Sequence, residues 1–221
     1  MSVAAFFDVD GTITKTTILD PLIWYRRAHD SKYGFALFAL GLLSRVPYYL
    51  AVDRRSRAQC NVVFYRRYAG LSAADLRHWH QRTFAENLQR TIFPAALDVI
   101  RDHRCKGHRI ILVTGGLEWV MRPLAEFLQA DELIATHLAE RDGTCTGAID
   151  GPAIADERKA ELIRSLCKKN GIDAALSFAY GNSLGDAPML ECVGHPVAVN
   201  ADSRLRRLAE ARGWPQVRWQ T

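Results

Sequence analysis

Three short apolar runs constrain this chain more than any other feature, because each one stops at a cluster of small and polar residues. Val3 to Val9 (VAAFFDV) leads into Asp10-Gly11-Thr12, Arg109 to Val113 (RIILV) into Thr114-Gly115-Gly116, and Leu176 to Tyr180 (LSFAY) into Gly181-Asn182-Ser183. Runs of this length without polar alternation fit strands buried on both faces, as in a parallel sheet. Helical patterns lie between them at Glu118 to Leu128 and Asp156 to Lys169, the second stopped by Asn170-Gly171, as expected of a helix C-terminus. Pro196 to Asn200 predicts one more strand, and Asp202 to Arg212 one more helix with Asp202 as its N-cap. Leu133 to Ile149 predicts a small strand pair turning at Asp142-Gly143. The alternation argues for an α/β fold built on a doubly wound parallel sheet, whose chemistry belongs at the carboxyl ends of the strands.

The stretch from about Thr16 to Ile92 breaks this alternation, with helical periodicity and aromatics but no convincing strand. It predicts an inserted α-helical cap over 16–91, with helices at Leu19 to His29, Phe35 to Ala51, Arg54 to Tyr68 and Ser72 to Asn87, and Gly70 and Pro94 as punctuation. The core is then 1–15 together with 92–221. The most apolar segment, Tyr33 to Leu43, falls short of the roughly 20 residues a membrane-spanning helix needs. Burial against the other cap helices is the expectation for it, with contact to a membrane surface as the alternative.

Asp8-Val9-Asp10-Gly11-Thr12 places two carboxylates on one side of the chain where the first strand ends. A carboxylate that attacks phosphorus needs its charge offset by a cation, while a second can protonate the leaving alkoxide and then deprotonate the hydrolytic water. Asp8 and Asp10 suit those roles, and further polar residues follow in order. Thr114 can offer a hydroxyl to a phosphoryl oxygen, with the Gly115 and Gly116 amides open beside it. Lys159 would offset the charge shared by Asp8 and a phosphate, with Arg158 as its local rival. Asp186, one helical turn beyond Asn182, completes an oxygen-rich set suited to Mg²⁺, although either could simply cap a helix.

This ordered set, FFDVDGT, ILVTGG, the lysine of DERKAEL and YGNSLGDAPML, resembles the haloacid dehalogenase superfamily, most closely its phosphoserine-phosphatase-like branch. The resemblance implies a Rossmann-like core, a helical cap inserted after the first motif, and a phosphomonoester hydrolase working through an aspartyl-phosphate. It implies that Asp8 is nucleophile and metal ligand, and that Asp10 is the acid/base and binds metal through its backbone carbonyl. Thr114, Gly115 and Lys159 would hold the phosphate, and Asn182 and Asp186 would complete the Mg²⁺ site. The family usually has an aspartate where Asn182 stands, which implies weaker metal binding here. Phosphoserine phosphatases carry a glutamate soon after the first motif, where this chain has Thr16, Thr17 and Ile18, so the resemblance points to a small phosphorylated metabolite other than phosphoserine.

Lys plus Arg number 29 against 24 Asp plus Glu, a formal charge of +5. The excess sits in clusters, at Arg54, Arg55 and Arg57, at Arg66 and Arg67, and at Arg204, Arg206 and Arg207. These fit solvated helix faces better than a nucleic-acid footprint, so no nucleic-acid partner is expected. Trp24, Tyr25, Phe35, Phe38, Tyr48 and Tyr49 would chiefly form the cap's own core, or else enclose a larger phosphate ester together with the first arginine cluster. The five cysteines include no CxxC pair, which suggests reduced packing residues. The N-terminus lacks the pattern of a signal peptide, so a cytoplasmic location is expected. Transfer of the phosphoryl group to an acceptor alcohol, or a binding role on a weakened site, are the competing functions, and the oligomeric state is left open.

Overall fold

The computed structural model describes residues 2–219. The core strands are β1 (Ala4–Phe7), β2 (Arg109–Leu117), β3 (Glu132–Arg141), β4 (Thr144–Asp150), β5 (Phe178–Gly181), β6 (His195–Val199) and β7 (Gln216–Val217). They form one seven-stranded sheet in the order β4-β3-β2-β1-β5-β6-β7. All neighbours are parallel except the β3–β4 pair. The chain leaves the central β1 toward β2 and β3, then returns to build β5 to β7 on the other side, so the order reverses beside β1, where open α/β sheets bind ligands.

Alternation along the strands sorts the core into two faces. Ala5, Phe7, Ile110 and Leu112 face one apolar cluster, whereas Ala4, Phe6, Ile111 and Val113 face the other. Helices α6 (Pro94–Cys105) and α7 (Glu118–Phe127) cover the first face, and α8 (Glu157–Asn170), α9 (Ala187–Leu190) and α10 (Ser203–Arg212) the second. This is the expected doubly wound α/β fold. Gly171 closes α8 in the left-handed region at φ +61, and Asp202 caps α10 by accepting the amides of Arg204 and Leu205. Asp142 and Gly143 turn the β3–β4 hairpin with φ of +51 and +75, the tight-turn geometry that suits a twisted ribbon.

The inserted helices are α1 (Asp20–His29), α2 (Lys32–Leu43), α3 (Val46–Arg55), α4 (Arg57–Tyr65) and α5 (Ala73–Arg82). The single helix expected over Phe35 to Ala51 is instead two. Pro47 has no N–H to continue the first helix and is tolerated only at the start of the second. The helix expected from Arg54 begins at Arg57, where Ser56 accepts the Gln59 amide as N-cap, and its last turn, Arg66–Tyr68, tightens to 3₁₀. Pro94 is more than punctuation, since it opens α6 in the first turn, where its missing donor costs nothing. The strand expected to stop at Val113 runs through Thr114-Gly115-Gly116 to Leu117, with a register shift across that stretch.

The cap helices have no separate apolar core. Leu22, Tyr25, Phe64, Tyr65, Tyr68, Leu76 and Trp79 belong to the same cluster as Phe7, Leu112 and Trp119 beneath them. Of the aromatics expected inside the cap, Tyr25 and Tyr49 are buried, Trp24, Phe35 and Phe38 are half-buried, and Tyr48 is exposed. The expectation that Tyr33 to Leu43 packs against the other cap helices holds for one side only, since Leu42 and Phe38 join the core cluster whereas Tyr33, Leu37, Leu40 and Leu43 face outward. Only Leu42 of α2 is fully buried. Nor are all the clustered arginines solvated, since Arg67 donates to the Tyr49 hydroxyl and the Gly41 carbonyl, tying α2 and α3 together.

His80 on α5 is buried among Tyr25, Trp79 and Trp119, and its Nε2 has no hydrogen-bond partner among the described residues. Burial, helped by the nearby His29, pushes its pKa down from 6.5 to about 3. Below about pH 6.5 the unfolded chain takes up a proton here that the folded chain refuses, so this contribution is complete above that pH and is lost as the pH falls toward the folded value. The loss at pH 5 is about 2 kcal/mol. His80→Leu is expected to remove that share of the acid sensitivity, measured as the difference in urea-denaturation free energy between pH 7 and pH 5. A variant as acid-sensitive as the wild type would show that His80 titrates normally.

Candidate active site

The first motif forms a tight turn at the carboxyl end of β1. The Asp8 amide extends the ladder by donating to Tyr180 O, after which the amides of Thr12, Ile13 and Thr14 all converge on Val9 O. Gly11 sits at φ +82, and a Cβ there would fall 2.0 Å from Asn182 Nδ2. Only glycine both accepts this backbone and lets the third motif lie against the first.

Lys159, in the first turn of α8, reaches across to join three elements. Its Nζ donates to Asp8 Oδ1 at 2.6 Å and to Asp186 Oδ1 at 2.7 Å, with all three side chains buried. Thr12 donates to the other Asp8 oxygen at 3.0 Å. Asp186 Oδ2 accepts the amides of Asn182 and Ser183 and the Ser183 hydroxyl. Asn182 is therefore in the loop after β5 rather than a helical turn before Asp186. Asp10 Oδ1 accepts the Thr16 hydroxyl at 2.7 Å. Arg158, the sequence rival of Lys159, pairs instead with Glu161.

Burial raises Asp8 to about 7, and the negative charge of Asp186 adds to the rise while Lys159 opposes it. Asp10 is also raised, chiefly by burial against the pull of the Thr16 hydrogen bond. Burial acts on Asp186 in the same direction, but the Lys159 charge and hydrogen bond, with those of Ser183, outweigh it and hold that carboxyl low. Lys159 stays cationic, because its two carboxylate partners more than repay its desolvation.

These residues line one narrow cleft together with Arg57, Asn61, Gly115, Asp156, Asn182 and Ser183. Its free volume is about 20 Å³, room for roughly one water-sized body and too little for a phosphate ester. Four carboxylates line it, Asp8, Asp10, Asp156 and Asp186, against two cations, Arg57 and Lys159. The donors are hard oxygens and carboxyl groups outnumber cations in the lining, which fits a small divalent cation such as Mg²⁺. Among the described residues no three His, Cys, Asp or Glu side chains already converge at ligand distance, and both Asp186 oxygens are occupied by protein donors.

Thr114 is fully buried beside the cleft rather than in its lining, and its hydroxyl accepts the Gly116 amide at 2.9 Å. The Gly116 amide is thus not open, contrary to expectation. Gly115 does line the cleft, and its carbonyl accepts the hydroxyls of Tyr65 and Thr136. A Cβ at Gly115 would lie 2.5 Å from Asn61 Nδ2, so the glycine admits the cap.

The cap contributes Arg57, one of the arginine cluster that the sequence offered as the alternative enclosure for an ester, and Asn61, which sequence inspection had not singled out. Arg57 pairs with Asp53 at 2.8 Å. A signal existed, since Arg57, Asn61, Phe64 and Tyr65 fall at i, i+4, i+7 and i+8 on α4, so the two polar groups share the buried face. Asp156 was missed as well. It stands at φ +51 before α8, and its Oδ2 accepts the Ala58 amide at 3.0 Å and the Ser56 hydroxyl at 3.3 Å. A core carboxylate thus caps a cap helix, closing the seam over the cleft.

Asp156→Gly keeps the positive φ and removes that contact. Amide exchange over residues 56–60 is expected to quicken about tenfold, the size of one charge-assisted hydrogen bond. Hydrogen-exchange mass spectrometry at constant pH measures it, and unchanged exchange would show that the carboxylate does not hold the seam.

The haloacid dehalogenase-like hydrolase profile matches residues 5–191. A Mycobacterium tuberculosis protein described as a probable phosphatase is 32% identical over 221 residues, covering 96% of this chain and 74% of its own. A Bordetella pertussis protein of unknown function superimposes with a TM-score of 0.80 at 28% identity, covering 98% of both chains. A substrate-bound phosphoserine phosphatase superimposes at 0.70 and 17% identity over 94% of this chain and 90% of its own, a likeness of fold. The motifs meet at one sheet edge and the profile covers most of the chain, so this protein belongs to the haloacid dehalogenase-like hydrolases, as an enzyme of the phosphatase kind.

Proposed function

We propose that the enzyme is a Mg²⁺-dependent phosphomonoesterase that works through a phosphorylated Asp8, on a small phosphate ester other than phosphoserine. The observation that carries this reading is the Asp8–Lys159–Asp186 bridge in a cleft lined by four carboxyl groups. An Asp8 oxygen attacks phosphorus, the ester P–O bond breaks, and the departing alkoxide takes a proton from Asp10. Burial favours the protonated form of Asp10 that this step requires. Asp10, now anionic, takes a proton from a water whose oxygen attacks the phosphoryl group, releasing inorganic phosphate and restoring the Asp8 carboxylate.

Gly115 and Lys159 form the phosphate-binding side, with Thr114 buried behind them as a support for the Gly115-Gly116 backbone, and Lys159 offsets charge on both Asp8 and the phosphoryl oxygens. Asp8, Asp10 and Asn182 would hold the metal, with Asp186 Oδ1 as a further oxygen of the same cleft. Bound there, the cation would neutralise charge on the phosphoryl group as Asp8 approaches. Thr16 spends its hydroxyl on Asp10, and the neighbouring stretch contributes Ile18 to the cleft instead of a carboxylate. Substrate recognition then falls to Ile18, Ile154, Arg57 and Asn61, whose Oδ1 is buried without a partner among the described residues. Such a lining suits an ester with an apolar portion and a polar group near it.

Phosphate release from p-nitrophenyl phosphate is expected to need Mg²⁺, to stop on chelation, and to fall about a thousandfold or more in Asp8→Asn. An Asp8→Asn rate equal to the wild type would refute the assignment. Asn182→Asp returns a charge to the proposed metal shell and should lower the half-saturating Mg²⁺ concentration by on the order of tenfold. An unchanged requirement would remove Asn182 from the ligand set.

A further inference from the structure

An unexplained apolar surface lies on the cap, outside the catalytic cleft. Tyr33, Leu37, Leu40 and Leu43 of α2 and Tyr48 and Leu50 of α3 are between 53% and 86% exposed. Single outward leucines are ordinary, but six bulky apolar side chains on two consecutive helices form a patch that water disfavours. The inner side of the pair is fixed, with Leu42 and Tyr49 buried and the Arg67 guanidinium holding the Tyr49 hydroxyl and the Gly41 carbonyl. The outward side chains are therefore held outward by the fold.

The charges around this patch have one sign. From Ser31 to Val52 there is no Asp or Glu, while Arg27, Lys32, Arg45, Arg54 and Arg55 are exposed and make no ion pair among the described residues. The acids at either end are already engaged, Asp30 by Arg26 and Asp53 by Arg57. An apolar strip fringed only by cations is complementary to an anionic bilayer surface, where apolar side chains enter the acyl boundary and basic ones meet phosphate headgroups. A second copy of the same face fits badly, because a two-fold interface would set these cations against their own kind.

Among the described residues no single helix is long and apolar enough to cross a membrane; α2 and α3 together have the length and composition, but they bend by 45° at their break, and Leu42, Tyr49 and the Arg67 contacts fix their inner side to the rest of the cap. At 12 residues, α2 extends about 18 Å against a hydrocarbon core of roughly 30 Å. We propose that the α2–α3 pair is a membrane-docking surface that lies in the plane of an anionic phospholipid bilayer. Arg55 also lines a hollow of mixed charge, with Arg57, Arg204, Asp53, Asp156 and Asp202, that adjoins the active site. Docking would thus bring the mouth of the site close to the lipid surface.

Flotation with vesicles tests this without turnover, so its failure would leave the hydrolase reading intact. The full chain is expected to float with phosphatidylglycerol/phosphatidylethanolamine vesicles, less with phosphatidylcholine alone, and less again as salt is raised. Leu37→Glu/Leu40→Glu should cut the bound fraction about tenfold, and Arg54→Glu/Arg55→Glu should abolish the preference for anionic vesicles. Both pairs are exposed, and an unchanged thermal melt checks the fold of each. Absence of flotation, or flotation indifferent to both variants, overturns the proposal. So does a dimer in light scattering that Leu37→Glu/Leu40→Glu dissolves while vesicles bind neither protein.

Discussion

Lys159 joins charged groups from parts of the chain that lie far apart in sequence. Its ammonium lies between a carboxylate delivered by the first strand and another from the loop after β5, all three out of water. Burying any one of these charges alone would cost several kcal/mol, so each depends on the others being in place. That dependence explains why β1 must be central, with β5 hydrogen-bonded beside it, and why α8 must start at the same sheet edge. The alternation of Phe6 and Phe7 onto opposite faces anchors the strand that carries Asp8. Apolar packing thereby sets the position of the charged group, and the charged group in turn selects among the ways the motifs could pack.

The contacts between cap and core are of two kinds. On the side of Trp119 and Trp79 the two share one apolar cluster, which would cost several buried side chains to separate. Over the cleft the seam is polar, made by Asp156 on Ser56 and Ala58, by Tyr65 on Gly115, and by Asn61 against the same glycine. Each such hydrogen bond is worth about 1 kcal/mol net, since water replaces it on opening. The polar seam is therefore where separating cap from core would cost least.

How legible all this is from the sequence depends on the range of the interactions concerned. The strands and their catalytic ends could be read because a buried parallel strand carries its own signature, and the Gly171 and Asp202 caps because their reasons are local. The break at Pro47 was equally local and was overlooked beneath an apolar pattern that runs across it. Arg57 and Asn61 reach the site only through the placement of α4 over β2, which spacing within either segment does not encode. Tyr33 to Leu43 failed on its outer side for a different reason. A helix apolar all round has no preferred side in its periodicity, so nothing in its pattern says which side chains the fold will leave in water.

The charge balance of the cleft gives the asparagine at position 182 a physical sense. With Asn182, the lining sets four carboxyl groups against two cations, and burial already pushes two of the four, Asp8 and Asp10, toward their neutral forms. An aspartate there would draw a divalent cation more strongly, but it would also add negative charge facing a phosphate dianion. The buried Asp8 already shows what uncompensated charge does, since its acidity is weakened by burial and by Asp186 more than Lys159 can restore. A further carboxylate would weaken it again, and a nucleophile that holds its proton does not attack. Under the proposed mechanism the amide trades affinity for the ion against a more reactive Asp8 and an easier approach for the ester, and Arg57, brought from the cap, adds cationic charge beside the same cleft.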